Sequence, residues 1–138
     1  MICSTRKRAW YPSVNDVKNY NKTVIDLYRE TKAEKHEVLS TKKIEEALKK
    51  TKRKKGCVED KAGMLMKELN KGHAFGSANR RTAYFTANEM IWHNKNYALA
   101  IKRDKQNIFA KKVRYGEVND EEIARFLGKD NPFMIPSK

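Results

Sequence analysis

Apolar residues in this chain recur three and four positions apart, the spacing of one face of an α-helix, in several separate blocks. The first block follows Pro12-Ser13-Val14-Asn15-Asp16, where Ser13 can cap a helix and Asp16, three residues on, completes a capping box. Val17, Tyr20, Val24 and Leu27/Tyr28 form one stripe, which predicts a helix running to about Lys35. A second helix begins near Ser40-Thr41 with Ile44, Ala47 and Leu48 inward, and it runs out into the basic stretch Lys49 to Lys55, closed by Gly56. A third spans Glu59 to Lys71 with Ala62, Leu65, Met66 and Leu69 inward; Gly72 stops it, because glycine tolerates the left-handed conformation common past a helix end.

A loop from His73 to Gly76 follows, and a fourth helix starts near Ser77. Its apolar face is Ala83, Ala87, Met90 and Ile91, and it ends around Trp92 to Asn96. The stretch from Tyr97 to Val113 fits either strand or helix. The last helix is sharply marked: Asn119 caps, Glu122 stands three residues on, Ile123, Phe126 and Leu127 face inward, and Gly128 closes it. The pattern predicts an all-α domain over residues 12–128, between an N-terminal extension (1–11) and an extended tail with two prolines (129–138).

A chain of 138 residues can bury a core without disulfides or a structural metal. No apolar run approaches the ~20 residues of a membrane span. The segment Met1 to Arg8 carries charges but no apolar stretch after them, which argues against a secretory signal and makes the cytoplasm the default expectation. Cys3 and Cys57 have no metal-ligand spacing and are expected as free thiols. The net charge of +14 predicts attraction to something anionic, whether nucleic acid, nucleotide phosphate or an acidic protein face. A solvated lysine-rich surface accounts for that charge equally well, and it is the plainer reading of the run from Lys49 to Lys55.

The chemistry is concentrated between Gly72 and Ala83. His73 is the side chain type best suited to move a proton near neutral pH. Gly76 lets backbone approach a ligand closely. Ser77 and Ala78 then open a helix whose first-turn N–H groups make an anion site. Asn79, Arg80 and Arg81 lie in that turn, where arginine opposes the helix dipole unless an anion joins it. A capping or surface histidine beside two solvated arginines is the bland alternative.

His73, Phe75, Ala78, Asn79 and Arg81 stand in the spacing of the loop His-x-Phe-x-Asp/Glu-Ala/Gly-Asn-Lys/Gly-Arg, and this segment resembles the Fic/Doc superfamily. Thr82-Ala83 is frequent in the Doc (death-on-curing) branch, and the segment from Gly116 to Leu127 looks like the C-terminal helix of Doc-type proteins. The likeness covers roughly residues 12–128, with only the loop sharply specific. It implies a compact helical bundle with a short β-flap. It implies that His73 is the general base that deprotonates a hydroxyl of a target protein, and that Phe75 anchors the loop in the core. It also implies that Gly76, Ser77, Ala78, Asn79, Arg80 and Arg81 hold the phosphates of ATP.

Two departures qualify what the resemblance implies. Ser77 stands where the family has an acid that holds magnesium, and a hydroxyl is a weak ligand for that ion; Asp60 or Glu68 would have to substitute in space. Tyr84 stands where the AMP-transferring branch has a second arginine, which favours transfer of the terminal phosphate. Thr41 to Glu45, followed by Glu46, comes close to the family's inhibitory Ser/Thr-x-x-x-Glu-Gly/Asn helix but lacks the last residue. The resemblance further implies a target protein such as part of the translation machinery, an acidic antitoxin as restraining partner, and a flap formed by the region of Lys49 to Lys55. Two other readings stand beside it: a catalytically impaired protein of the same fold that binds nucleotide or a partner, and a basic nucleic-acid-binding protein using Trp10, Tyr11 and Trp92.

Overall fold

The computed structural model describes residues 8–129 and the backbone of Ile135–Pro136; Cys3 and most of the tail expected over 129–138 lie outside the described residues. Among the described residues there are six helices: α1 (Val14–Tyr28), α2 (Thr41–Arg53), α3 (Val58–Gly72), α4 (Asn79–Lys95), α5 (Arg103–Arg114) and α6 (Asp120–Phe126). Strand β1 (Tyr97–Ala98) pairs antiparallel with β2 (Ile135–Pro136). The fold is all-α.

The predicted helix starts are built as their residues require. Asp16 N–H donates to Ser13 Oγ at 3.0 Å while Ser13 N–H donates to the Asp16 carboxylate at 2.8 Å. Asn119 and Glu122 make the same reciprocal pair at α6. The ambiguous stretch from Tyr97 to Val113 divides into a two-residue strand and a full helix.

The core lies around α3 and α4, which pack on each other. α2, α5 and α6 lean on α3, and α1 leans on α4. The inward faces of α2, α3 and α4 are the expected ones. Gly63 allows α6 to approach: a Cβ there would lie 3.1 Å from Ile123 Cγ2. Trp10 and Tyr11 also pack against this core, and Trp10 exchanges backbone hydrogen bonds with the Asn94 side chain.

Three local expectations are corrected. α1 ends at Tyr28 and does not continue to Lys35, and Leu27 (66% exposed) and Tyr28 (46%) lie outside its buried stripe. That stripe is Val17, Asn21, Val24 and Ile25. The chain leaves the helix because residues 29–34 fold back in a turn in which Glu30 N–H donates to the Glu34 carboxylate at 3.0 Å. The stretch Lys49–Arg53 is the end of α2 and forms no flap; the strand-like edge is elsewhere, where Val38 bridges Phe75. Cys57 is disulfide-bonded and is not a free thiol. Such bonds persist in oxidising surroundings and are rare where thiols are kept reduced; sequence spacing carries no sign of the proximity they need. No helix among the described residues is long and apolar enough to cross a membrane.

Candidate functional site

The site is the connection from α3 to α4. α3 runs through Gly72, so the left-handed residue that breaks it is His73 itself, at φ 50° and ψ 50°. Ala78, just before α4, is also left-handed, at φ 63°. Two side-chain-bearing residues in this region bracket five positions of chain. Such conformations cost energy and are kept where surrounding contacts over-determine them.

Those contacts can be followed residue by residue. Ala74 and Phe75 are buried, and the Phe75 ring anchors the loop in the core as expected. Residues 37–40 lie along the loop: Leu39 N–H donates to Ala74 O at 2.8 Å, and Gly76 N–H donates to Glu37 O at 2.9 Å. Gly76 is glycine because of that neighbour; a Cβ would meet Glu37 Oε1 at 2.5 Å. Its N–H is thereby committed to protein and is not presented to a phosphate.

Asn79 closes the loop on itself. Its Oδ1 accepts from Phe75 N–H at 3.1 Å and its Nδ2 donates to Phe75 O at 2.9 Å. Nδ2 also lies 3.4 Å from His73 Nδ1. Asn79 therefore sets the loop's shape, and its amide oxygen and nitrogen are already occupied by backbone.

Asn21 supports the loop from α1. It is fully buried, and its Nδ2 donates to Ser77 O and to Thr82 Oγ1, each at 2.9 Å. Its Oδ1 lies 2.8 Å from His36 Nδ1. A polar side chain at a core position needs its partners, and here they are the two sides of the α4 start.

The start of α4 is left open. Ala78 has no side-chain oxygen to cap it, and the first turn contains no acid. The first bond of the helix runs from Thr82 N–H to Ala78 O at 2.9 Å, so the N–H groups of Asn79, Arg80 and Arg81 precede it. Ser77 lies before the helix, not in its first turn as expected, because the chain reaches α4 through the left-handed Ala78.

Arg81 is not free. Its guanidinium pairs with the Glu34 carboxylate, lies 3.4 Å from Glu30 and donates to Tyr28 O at 2.8 Å. Burial pushes the Glu34 carboxyl upward, but the hydrogen bond and charge of Arg81 outweigh it and hold the group below its usual range. The acids facing this loop are thus Glu30 and Glu34; Glu45 and Glu46 on α2 do not line it.

A cavity of about 300 Å³ opens here. His73, Ser77, Ala78, Asn79, Arg80 and Arg81 line one side; Asn70 of α3 with Asn107 and Arg114 of α5 line the other. Every site residue expected from sequence except the buried Phe75 borders this one space. Tyr84 does not. It is buried, edge-on to Phe126 at 6.2 Å, with its hydroxyl pushed well above the usual tyrosine range by burial.

Magnesium needs hard anionic oxygens, and the residues present do not fit it. Ser77 supplies a neutral hydroxyl. Glu30 is the one carboxylate among the described lining residues, and it faces Arg81. Asp60 accepts Lys129 at 3.1 Å and Glu68 accepts Lys50 at 2.8 Å, so neither serves the loop. Among the described residues no group of three or more His, Cys, Asp or Glu side chains could hold a metal.

Sequence reasoning missed Asn21, Glu34, Asn70, Asn107 and Arg114. Asn21 and Asn70 each carried a signal, a polar residue standing at a helical core position. Glu34 and Arg114 carried none, since only the folding of distant segments brings them to the loop. Compared with models of known protein families and with curated proteins, the chain gives no match.

Proposed function

We propose that this protein is a phosphotransferase of the Fic/Doc type, which moves a phosphate or nucleotidyl group from ATP to a hydroxyl of a target protein. The observation that carries the reading is the meeting of His73 and the open start of α4 at one cavity. Exposed at the cavity edge, His73 takes the proton of the incoming hydroxyl. The hydroxyl oxygen bonds to phosphorus as the bond to the leaving phosphate breaks. The first-turn N–H groups of α4 and Arg80 stabilise the charge on the transferring group. Tyr84, buried away from the cavity, supplies no second cation there, which favours transfer of the terminal phosphate over transfer of AMP. The resemblance also brings an acidic antitoxin as partner and part of the translation machinery as target.

A second reading is a nucleotide-binding protein of this fold without turnover. It is favoured by Ser77 at the acid's position and by Arg81, whose charge Glu34 already neutralises. The experiment that separates the two uses ATP labelled at the α or the γ phosphate, incubated with the protein in lysate with and without divalent cation. Label on a protein band that falls about a hundredfold or more in His73→Ala supports transfer, and its position gives the group moved. Nucleotide binding without label in any condition establishes the second reading. Failure to bind any nucleotide overturns both.

A further inference from the structure

The cavity holds more positive charge than its acids neutralise, and that charge is placed on both sides. Of the three arginines that line it, only Arg81 is paired with carboxylates. Arg80, at the start of α4, and Arg114, at the end of α5, have no ion pair and donate no hydrogen bond among the described residues; Arg114 has only the Tyr115 ring, 5.8 Å from its guanidinium. Both are partly buried, so neither is a freely solvated surface cation. A guanidinium is a strong bidentate partner for phosphate oxygens.

Asn70, on the wall beneath Arg114, points to a ligand independently of the helix start. It is 1% exposed, and its Nδ2 donates to Ala110 O at 2.9 Å. Its Oδ1 accepts nothing among the described residues. A buried amide oxygen without a donor is costly and calls for one. Phosphate oxygens at neutral pH are acceptors and do not meet that need; a hydroxyl or amino group does. The ligand that satisfies both walls therefore carries anionic phosphates and a neutral hydrogen-bond donor, which describes a nucleotide and not inorganic phosphate.

We propose that the cavity binds a nucleoside triphosphate without a divalent cation, with Arg80 and Arg114 supplying the positive charge that a metal would otherwise bring and Asn70 accepting a hydrogen bond from the nucleoside. This rests on the reading of the α3–α4 loop as a phosphate site, and it assigns to α5 a binding residue outside the loop. Arg114 acts as a phosphate ligand facing Arg80 across the cavity.

The test is calorimetric titration of the full chain with ATP and with inorganic triphosphate, each in EDTA and in excess magnesium. Saturable ATP binding in EDTA, with affinity changed by magnesium less than about tenfold, is the expected result. Arg114→Gln is expected to weaken ATP binding in EDTA about tenfold or more, and Arg114→Lys to recover part of that loss. Lys112→Gln, an exposed cation on the same helix, is expected to leave it unchanged; a loss equal to that of Arg114→Gln would mean attraction of a polyanion to a basic surface and would overturn the proposal. Asn70→Ala, checked for folding by thermal melt, is expected to erase the preference for ATP over inorganic triphosphate. ATP binding that appears only with magnesium, or that ignores Arg114→Gln, sinks the proposal and leaves the phosphate-site reading standing. Absence of binding by either ligand in either buffer sinks that reading and the proposal with it.

Discussion

The starts of α6 and α4 are built on opposite plans. At α6, Asn119 accepts from Glu122 N–H at 2.8 Å, Glu122 reaches back to Asn119 N–H at 3.0 Å, and Asp120, Glu121 and Glu122 put acids in the first turn. That helix is completed by its own residues. At α4 the capping position is Ala78 in a left-handed conformation, the first turn has no acid, and Arg80 and Arg81 stand where the helix dipole disfavours them. Ser13 and Ser40 cap α1 and α2, so self-completion is the rule elsewhere in this chain. A start finished within its own turn serves the fold alone. One left open draws partners from far away, here Asn21 from α1 and Glu34 from the turn after it, and keeps N–H groups for something else.

If distant residues hold the α4 start, removing the main one gives the largest effect. Asn21→Ala leaves Ser77 O, Thr82 Oγ1 and His36 without a shared partner. Urea unfolding is expected to show a loss of about 2–3 kcal/mol; a loss below about 0.5 kcal/mol would show the α4 start to be as self-sufficient as that of α6. Asn119→Ala, by contrast, tests a purely local cap and is expected to lose about 1 kcal/mol by the same measurement.

Two substitutions probe the open start itself. Ala78→Gly removes a left-handed alanine and is expected to stabilise the fold by about 0.5 kcal/mol, whereas glycine at the extended Asn119 cap gives no gain. Arg80→Glu writes into α4 the first-turn acid that α6 already has. Stability in low salt is expected to rise by about 0.3–0.5 kcal/mol, while the rise in melting temperature on adding sulfate shrinks relative to the unaltered protein. An undiminished sulfate response would separate anion binding from this helix start.

The smallest effect is in acid. Glu34 titrates below its ordinary value of 4.5, so its contribution is fully present above that pH and is lost as pH falls through the lowered value. Asp120, in the α6 turn, is likewise held below 3.8, by its hydrogen bond from Lys67 and then that from Lys54, against burial. Glu34→Gln is expected to flatten the acid limb of a stability-versus-pH curve below about pH 4.5. An unchanged limb would mean that Arg81 holds its place without that carboxylate.

Most helices were legible in the pattern because capping and 3–4 spacing act within a few residues. Ser13 with Asp16, and Asn119 with Glu122, marked starts that the structure confirms. The end of α1 was not legible: Leu27 and Tyr28 continue the apolar spacing, yet no neighbour covers them enough to bury them. The loop was legible as a set of residue types, and those that line the cavity do so together. Their partners were not. Gly76 reads equally well as room for a ligand or room for Glu37, and Asn79 as a phosphate donor or a backbone clamp; tertiary packing chose the second in each case.

By itself the sequence determined an all-α chain, the apolar faces that meet around α3 and α4, and a helix start too poor in caps and acids to be satisfied locally. These follow from interactions spanning three or four residues, which a linear chain displays. Only the tertiary structure decided that Glu34 neutralises Arg81, that Asn21 joins the two sides of the loop, and that Arg114 of α5 faces Arg80 across the same cavity. Those pairings cross 33 or more positions of chain (114 − 81 = 33 for the cavity arginines nearest in sequence). Over such separations side-chain chemistry does not reveal which groups folding will bring together.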